Sequence, residues 1–137
     1  MSLQRDMDLT RHIASLLIVG FPGRQFAADS EIARDITSRG LGGVILFNRC
    51  VHDPVQSGNI GPAGELKRLT AALQDLRPEP LLICVDQEGG TVQRLGHENG
   101  YAPTPSARQL AESGADTTQT KRYGEETAAL LDRKSVV

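Results

Sequence analysis

The chain alternates short, continuous apolar runs with segments whose apolar residues recur at helical spacing. The runs cover residues 16–21, 43–47 and 81–86 and are rich in Leu, Ile and Val. Such runs are typical of strands that are buried on both faces of a parallel sheet. The clearest helical face, which we expect to pack on the outside of the strands, carries four leucines: Leu66, Leu69, Leu73 and Leu76. The order strand, helix, strand, helix predicts an α/β fold with a parallel sheet.

Capping and turn residues mark where the predicted helices begin and end. Asp29 or Ser30 is expected to cap the first helix, and Gly40 to end it. Thr104–Pro105 predicts the start of a short helix, with the threonine as N-cap and the proline at the first helical position. A further helix is expected over residues 117–131. The alternation fits both an open doubly wound sheet and the first part of a closed barrel.

Composition and charge exclude several classes of protein. The chain has 137 residues, of which 39% are hydrophobic and 23% charged, as in a globular domain rather than a disordered one. The formal net charge is −2 and no run of Lys or Arg occurs, which disfavours a nucleic-acid partner. No stretch has the length of a membrane span, and the first eleven residues lack the apolar centre of a signal peptide. We therefore expect no membrane partner and a cytoplasmic location, while the oligomeric state stays open.

The cysteines and histidines suggest neither a disulfide framework nor a metal site. Two cysteines are present, and Cys84 lies inside an apolar run, where it is expected to pack as a small hydrophobe. His12, His52 and His97 are scattered without the spacing of metal ligands. Phosphate-binding and dinucleotide fingerprints are absent as well. The sequence thus predicts no metal and no cofactor.

The end of the third apolar run carries the most informative chemistry. It continues with Asp86, Gln87, Glu88, Gly89, Gly90 and, after three intervening residues, Arg94. In parallel α/β proteins function collects at the carboxyl ends of strands. Because side chains alternate along a strand, Asp86 and Glu88 are expected to point the same way, while the glycines allow a sharp turn and close approach of a ligand. Carboxylates and Arg suit sugar hydroxyls, and an internal ion pair of Arg94 with either carboxylate is the alternative.

The string from Asp86 to Gly90, followed by Val-Gln-Arg-Leu at 92–95, resembles the signature of glycoside hydrolase family 3. It is most similar to the β-N-acetylhexosaminidase branch of that family. Further stretches resemble the family in the same order along the chain: residues 17–23, 42–47, 59–62 and 101–107. The resemblance implies that the chain holds about the first three βα units of a (β/α)₈ TIM-type barrel.

The resemblance also implies roles for individual residues. Asp86 and Arg94 correspond to residues that bind the substrate, and the residues that follow Asp86 form a supporting loop: Gln87, Glu88, Gly89 and Gly90. Thr91 departs from the family, which often has Arg there, and this puts a charged contact from that position in doubt. The family's nucleophilic Asp and its acid/base His belong to later segments, so we expect no catalytic residue in this sequence.

The implied activity is hydrolysis of terminal, non-reducing β-N-acetylglucosaminides by a retaining mechanism, in carbohydrate and cell-wall sugar metabolism. A β-glucosidase or β-xylosidase of the same family is one alternative, which the string from Gln87 to Gly90 disfavours. A non-catalytic carbohydrate-binding protein is the other. We expect residues 1–131 to be an incomplete family 3 N-terminal domain that is inactive by itself. Residues 132–137, which follow a helix without a cap or stop signal, are expected to be a non-native tail.

Overall fold

The computed structural model describes residues 9–50 and 56–133, with side chains up to Leu131. The strands are Ile18–Val19 (β1), Gly43–Leu46 (β2), Leu82–Val85 (β3), Gln87–Gly89 (β4) and Val92–Gln93 (β5). The helices are residues 9–14 (α1), Glu31–Arg34 (α2, continued by a π-helical turn over Asp35–Arg39), Ala63–Gln74 (α3), Ala107–Glu112 (α4) and Thr117–Arg133 (α5). A 3₁₀ turn covers His97–Asn99.

Strands β1, β2 and β3 form a parallel sheet in chain order. Val44 of β2 pairs with Ile83 of β3, and Leu46 pairs with Val85. Strands β4 and β5 form a separate antiparallel hairpin immediately after β3. The predicted parallel sheet is therefore confirmed, whereas the hairpin was not expected.

The core lies on one face of the sheet, between the strands and helices α2 and α3. Val44, Leu46 and Ile83 are fully buried there. Three members of the leucine stripe, Leu66, Leu69 and Leu73, are buried against the same cluster, while Leu76 lies past the end of α3 and is half-buried. Burying each leucine contributes about 1.5–3 kcal/mol. The predicted packing of this stripe is confirmed.

The other face of the sheet is open, which corrects the prediction of strands buried on both faces. Leu82 is 45% exposed and Ile18 is 46% exposed, although both belong to apolar strand runs. Leu16, in the predicted first strand, is 83% exposed and precedes β1. Three strands form only an arc, so no layer of the described chain covers this face. In a closed barrel it would point to the interior.

Local hydrogen bonds decide where the helices begin. Ser30 caps α2 by accepting a hydrogen bond from the Ala33 N–H at 3.4 Å, and Gly40 ends the π-helical turn with a φ of 80°. The prediction of a cap at Thr104 is wrong, because Ser106 caps α4 in a capping box with Gln109. The Thr104 N–H instead donates to the Gln93 side chain at 3.0 Å, so this residue belongs to the loop before the helix.

Helix α5 covers the span predicted for the last helix and continues to Arg133. Residues 134–137 of the predicted non-native tail lie outside the described residues. No helix within the described ranges has the length and apolarity needed to cross a membrane.

Candidate functional site

Asp86 lies one residue beyond β3, at the carboxyl-terminal edge of the parallel sheet. Side chains alternate along a strand, so Leu82, Cys84 and Asp86 share the open face while Ile83 points into the core. The Asp86 side chain is 43% exposed. Its carboxylate also contributes, after burial, to raising the pKa of the Cys84 thiol. The carboxylate thus lies at the carboxyl-terminal edge of the sheet, on the face that a barrel would enclose.

The hairpin brings Arg94 back to Asp86. The Arg94 N–H donates to the Asp86 carbonyl at 3.2 Å, and the guanidinium Nη2 lies 3.6 Å from Asp86 Oδ2. The Arg94 Cζ lies 5.5 Å from the centre of the Phe47 ring. The structure therefore brings together the two residues that the sequence assigned to substrate binding, and it adds Phe47 to them.

Gln87 fixes the hairpin from within. Its Oε1 accepts hydrogen bonds from the N–H groups of Arg94 at 3.1 Å and Leu95 at 3.0 Å. Its Nε2 donates to the Thr104 hydroxyl at 2.8 Å and to the Leu95 carbonyl at 3.3 Å. Both the oxygen and the nitrogen of the Gln87 amide are thus hydrogen-bonded within the protein, and they hold the backbone that carries Arg94.

The two glycines make a sharp turn, as expected, with φ values of 83° at Gly89 and 61° at Gly90. A Cβ at Gly89 would lie 2.2 Å from the carbonyl oxygen of Pro105. The Gly90 N–H donates to the Thr104 carbonyl at 2.8 Å. At Gly89 the close approach that glycine permits is that of the chain's own 104–106 segment, and the expected approach of a ligand to the loop stays a prediction.

Glu88 lines a part of the surface that Asp86 does not. It lines a surface depression of about 960 Å³ together with Gly90, Arg108 and Tyr123, and Asp86 is not among the lining residues. The hairpin register shifts between Gln87 and Gly89, which breaks the simple alternation on which the shared direction of the carboxylates depended. Among the described residues Arg94 forms an ion pair with Asp86 and none with Glu88.

Two buried polar atoms at this edge have no hydrogen-bond partner in the described part of the chain: Arg94 Nε and Asn48 Oδ1. Buried polar groups are almost always paired, so an unpaired N–H beside an exposed carboxylate is suited to a polar ligand. The Asn48 amide nitrogen donates to Glu98 Oε1 at 3.2 Å, which joins the loop after β2 to the loop after β5. The site thus offers both a donor and an acceptor.

Asn59 holds the ends of the first two strands together, a role that the sequence did not indicate. Its Nδ2 donates to the carbonyls of Phe21 at 2.7 Å and Gly23 at 2.9 Å, and its Oδ1 accepts from the Phe47 N–H at 3.1 Å. Phe47 itself could have been found from its position, because it is the residue that follows β2. Within residues 9–50 and 56–133, no group of three or more potential metal ligands occurs.

Residues 8–133 match the sequence profile described as the glycosyl hydrolase family 3 N terminal domain. The chain belongs to glycosyl hydrolase family 3. The match includes the whole described sheet, the hairpin and all described helices.

This family 3 domain is similar to curated bacterial proteins named β-hexosaminidase. It is 46% identical to that of Nitrosomonas eutropha over 72 residues, which cover 53% of this chain and 18% of the relative. It is 32% identical to that of Stenotrophomonas maltophilia strain R551-3 over 118 residues, which cover 85% of this chain and 31% of the relative. The chain thus spans between about a fifth and a third of the length of these relatives.

Solved structures agree with the family 3 assignment. A glycoside hydrolase family 3 β-N-acetylglucosaminidase from Paenibacillus sp. FPU-7 superposes with a TM-score of 0.78 at 28% identity, over 93% of this chain and 22% of that one. NagZ from Neisseria gonorrhoeae, in complex with N-trifluoroacetyl-D-glucosamine, gives 0.69 at 25% identity, over 88% and 33%. The family 3 domain has the fold of the N-terminal part of a (β/α)₈ TIM-type barrel, with three βα units.

Proposed function

We propose that this domain binds the non-reducing sugar of a β-N-acetylglucosaminide that is hydrolysed by a β-hexosaminidase. The observation that carries the proposal is the Asp86–Arg94 pair on the open face, at the carboxyl-terminal edge of three parallel strands. Ligands of barrel enzymes bind at this edge. The relatives named β-hexosaminidase and β-N-acetylglucosaminidase support N-acetylglucosamine as the sugar.

The chemistry of the pair suits a sugar ring. An ionised carboxylate accepts hydrogen bonds from two neighbouring hydroxyls, and a guanidinium donates several in a fixed plane. Asp86 is exposed enough to reach a ligand, and Arg94 keeps one buried donor without a protein partner among the described residues. Charge-assisted hydrogen bonds of this kind contribute roughly 1.5–3 kcal/mol each.

The proposed share of these residues in the reaction is orientation. In retaining hydrolysis a carboxylate attacks the anomeric carbon through an oxocarbenium-like transition state, and water then releases the sugar. We assign neither the nucleophile nor the acid/base to any residue of this chain. Asp86 and Arg94 would hold the sugar so that the anomeric carbon meets the nucleophile, and they raise the rate as far as their contacts tighten in the transition state.

A segment exchange tests the proposal. Residues 9–133 would replace the matching segment of the Stenotrophomonas maltophilia β-hexosaminidase, whose similarity covers 85% of this chain. The chimaera is expected to release 4-nitrophenol from 4-nitrophenyl N-acetyl-β-glucosaminide. Circular dichroism and size exclusion report whether the chimaera folds. The host enzyme with its own segment is the control.

The same assay separates the alternative substrates. Comparable turnover of the 4-nitrophenyl β-glucoside or β-xyloside would favour the alternative branch of the family. A folded chimaera without turnover of any of the three glycosides would contradict the proposed role of this segment. The chimaera also tests whether the Asp86–Arg94 ion pair only shapes the loop. In that case, removal of the Asp86 carboxylate would lower the melting temperature of the chimaera without changing its KM.

A further inference from the structure

Phe47 lies under the Arg94 guanidinium. The Arg94 Cζ is 5.5 Å from the centre of the Phe47 ring, within the range of a cation–π contact. The Arg94 side chain is only 22% exposed, so little water competes for this contact. The next pair after Leu46–Val85 in the parallel register would be Phe47 and Asp86, which puts the ring beside the carboxylate that Arg94 also contacts.

The ring and backbone of Phe47 are themselves fixed. A Cβ on Gly20 would lie 3.1 Å from Phe47 Cε2, so the ring packs directly against the backbone at the end of β1. The Phe47 N–H donates to Asn59 Oδ1 at 3.1 Å, and the Phe47 carbonyl accepts from the Asn59 N–H at 2.7 Å. Phe47 is thus a rigid platform, because β1 and the loop before α3 both hold it.

The ion pair alone leaves the orientation of the guanidinium undefined. The Arg94–Asp86 distance of 3.6 Å exceeds that of a normal hydrogen bond, and Arg94 Nε has no partner within the described ranges. A planar group with one long electrostatic contact can rotate about its side-chain bonds. The ring face restricts this rotation, because the guanidinium plane stays against it.

We propose that Phe47 is a positioning residue, which holds the Arg94 guanidinium in the orientation that binds the sugar and acts on the sugar only through Arg94. The inference rests on the proposed function. It adds an aromatic residue from the second strand to a site that the sequence placed entirely after the third. It also gives a reason for a glycine at position 20, where a side chain would press on the ring.

The Arg94 side-chain resonances test the contact in the folded chimaera described above, without any sugar. The protons of a guanidinium over a ring face are shifted upfield, and the Nε–Hε proton exchanges slowly with water when the ring shields the group. Phe47→Leu is expected to abolish the upfield shift and broaden the Arg94 Nε–Hε signal, whereas Phe47→Tyr should keep both. Phe26→Leu is the matched control, since Phe26 is a partly buried ring that contacts Phe21 edge-on.

Titration with N-acetylglucosamine then tests the consequence for binding. Phe47→Leu is expected to weaken the affinity, read from the Arg94 signal, by about three- to tenfold, as loss of a partly buried cation–π contact predicts. Phe47→Tyr should restore most of the affinity, and Phe26→Leu should leave it unchanged at temperatures below melting. Equal loss of affinity in the Phe47→Leu and Phe26→Leu variants would overturn the proposal.

The two readouts separate this inference from the function on which it rests. An Arg94 signal that is the same in the parent and in Phe47→Leu would overturn the positioning role, whatever the sugar does. A parent chimaera whose Arg94 signal does not respond to N-acetylglucosamine would overturn sugar binding, and with it the purpose assigned to Phe47. The ligand-free spectra would then still show whether Phe47 holds Arg94.

Discussion

At the scale of single residues, Asp86 is defined by the strand that precedes it. Strand alternation turns it toward the open face, and the hairpin returns Arg94 to within 3.6 Å of its carboxylate. The Asp86 side chain is 43% exposed and its separation from Arg94 is longer than a hydrogen bond, so the ion pair contributes little to stability by itself, in the range of about 0–1 kcal/mol. A carboxylate that adds so little to stability is free to serve a ligand.

The first prediction concerns Asp86→Ala in the active chimaera. Removing a charge-assisted contact to a sugar hydroxyl should raise the activation free energy by roughly 1.5–3 kcal/mol. This lowers kcat/KM on the N-acetyl-β-glucosaminide by about one to two decades. The control is Glu112→Ala, at the exposed end of α4. Unchanged kcat/KM for Asp86→Ala would exclude a sugar contact at this position.

The second prediction uses the neighbouring thiol. Burial first, and the Asp86 carboxylate second, raise the pKa of Cys84. Because a negative neighbour disfavours the thiolate, Asp86→Asn should lower the pKa of Cys84 and move its alkylation profile to lower pH. The rates are measured with iodoacetamide in a Cys50→Ser background, and Glu88→Gln serves as the control. A profile that moves equally in both variants would show that Asp86 is not directed toward Cys84.

At the scale of elements, the β4–β5 hairpin carries the candidate site, and the 104–106 segment supports it from below. Gly89 has a φ of 83°, and the position that a Cβ would occupy faces the Pro105 carbonyl oxygen. The Gln87 and Gln93 side chains both bond to Thr104. The position of Arg94 therefore depends on a contact between two loops that are separated along the chain.

The third prediction separates backbone strain from steric clash at Gly89, with Gly100, which follows the 3₁₀ turn His97–Asn99, as the reference for strain alone. Gly100→Ala introduces a side chain at a φ of 81° with nothing within 4 Å, so it should cost about 1 kcal/mol of unfolding free energy through strain alone. Gly89→Ala adds an approach of 2.2 Å to the Pro105 oxygen, and it should destabilise the chain by clearly more. Urea denaturation measures both. Equal losses would mean that the hairpin does not pack on the 104–106 segment.

The elements also show what the sequence could and could not predict. Strands β2 and β3 and helices α3 and α5 were predicted because their signals are local apolar periodicities. The cap at Thr104 was wrong because its N–H is bonded to Gln93, eleven residues earlier in the chain. Asp86 and Arg94 were predicted from their strand-end position and the family resemblance; the structure brings them together, and their role in binding the substrate stays a prediction. Phe47 also follows a strand end, but it was missed because its contact with Arg94 arises only after the hairpin folds back.

At the scale of the whole molecule, one face of the sheet is packed and the other is open. Ile18 and Leu82 lie on either side of Gly43 in the register, and both are nearly half exposed. Periodicity could not predict this, because an apolar run looks the same whether its second face is covered or not. A contiguous apolar face beside a strand edge that no described strand pairs favours association between molecules.

The fourth prediction follows from that face. The described chain should self-associate at micromolar concentration, and light scattering after size exclusion should show a mass that rises with concentration. Leu82→Lys should reduce the association, because it puts a charge in the centre of the face. Ala71→Lys, on the exposed side of α3, is the matched control. A monodisperse monomer at all concentrations would show that the face is covered in solution.

The hairpin that joins Asp86 to Arg94 also bears on the order of folding. The two residues are eight positions apart, whereas paired residues of β1 and β2 are 25 positions apart (Ile18 and Gly43) and those of β2 and β3 are 39 positions apart (Gly43 and Leu82). Closing a loop of about ten residues takes tens of nanoseconds, and a hairpin forms within microseconds, while contacts of high sequence separation form later. The pair that we assign to the sugar is therefore a low-contact-order unit. Asp86 and Arg94 can meet early, and the Phe47 ring comes into contact with Arg94 when the slower pairing of β2 with β3 is complete.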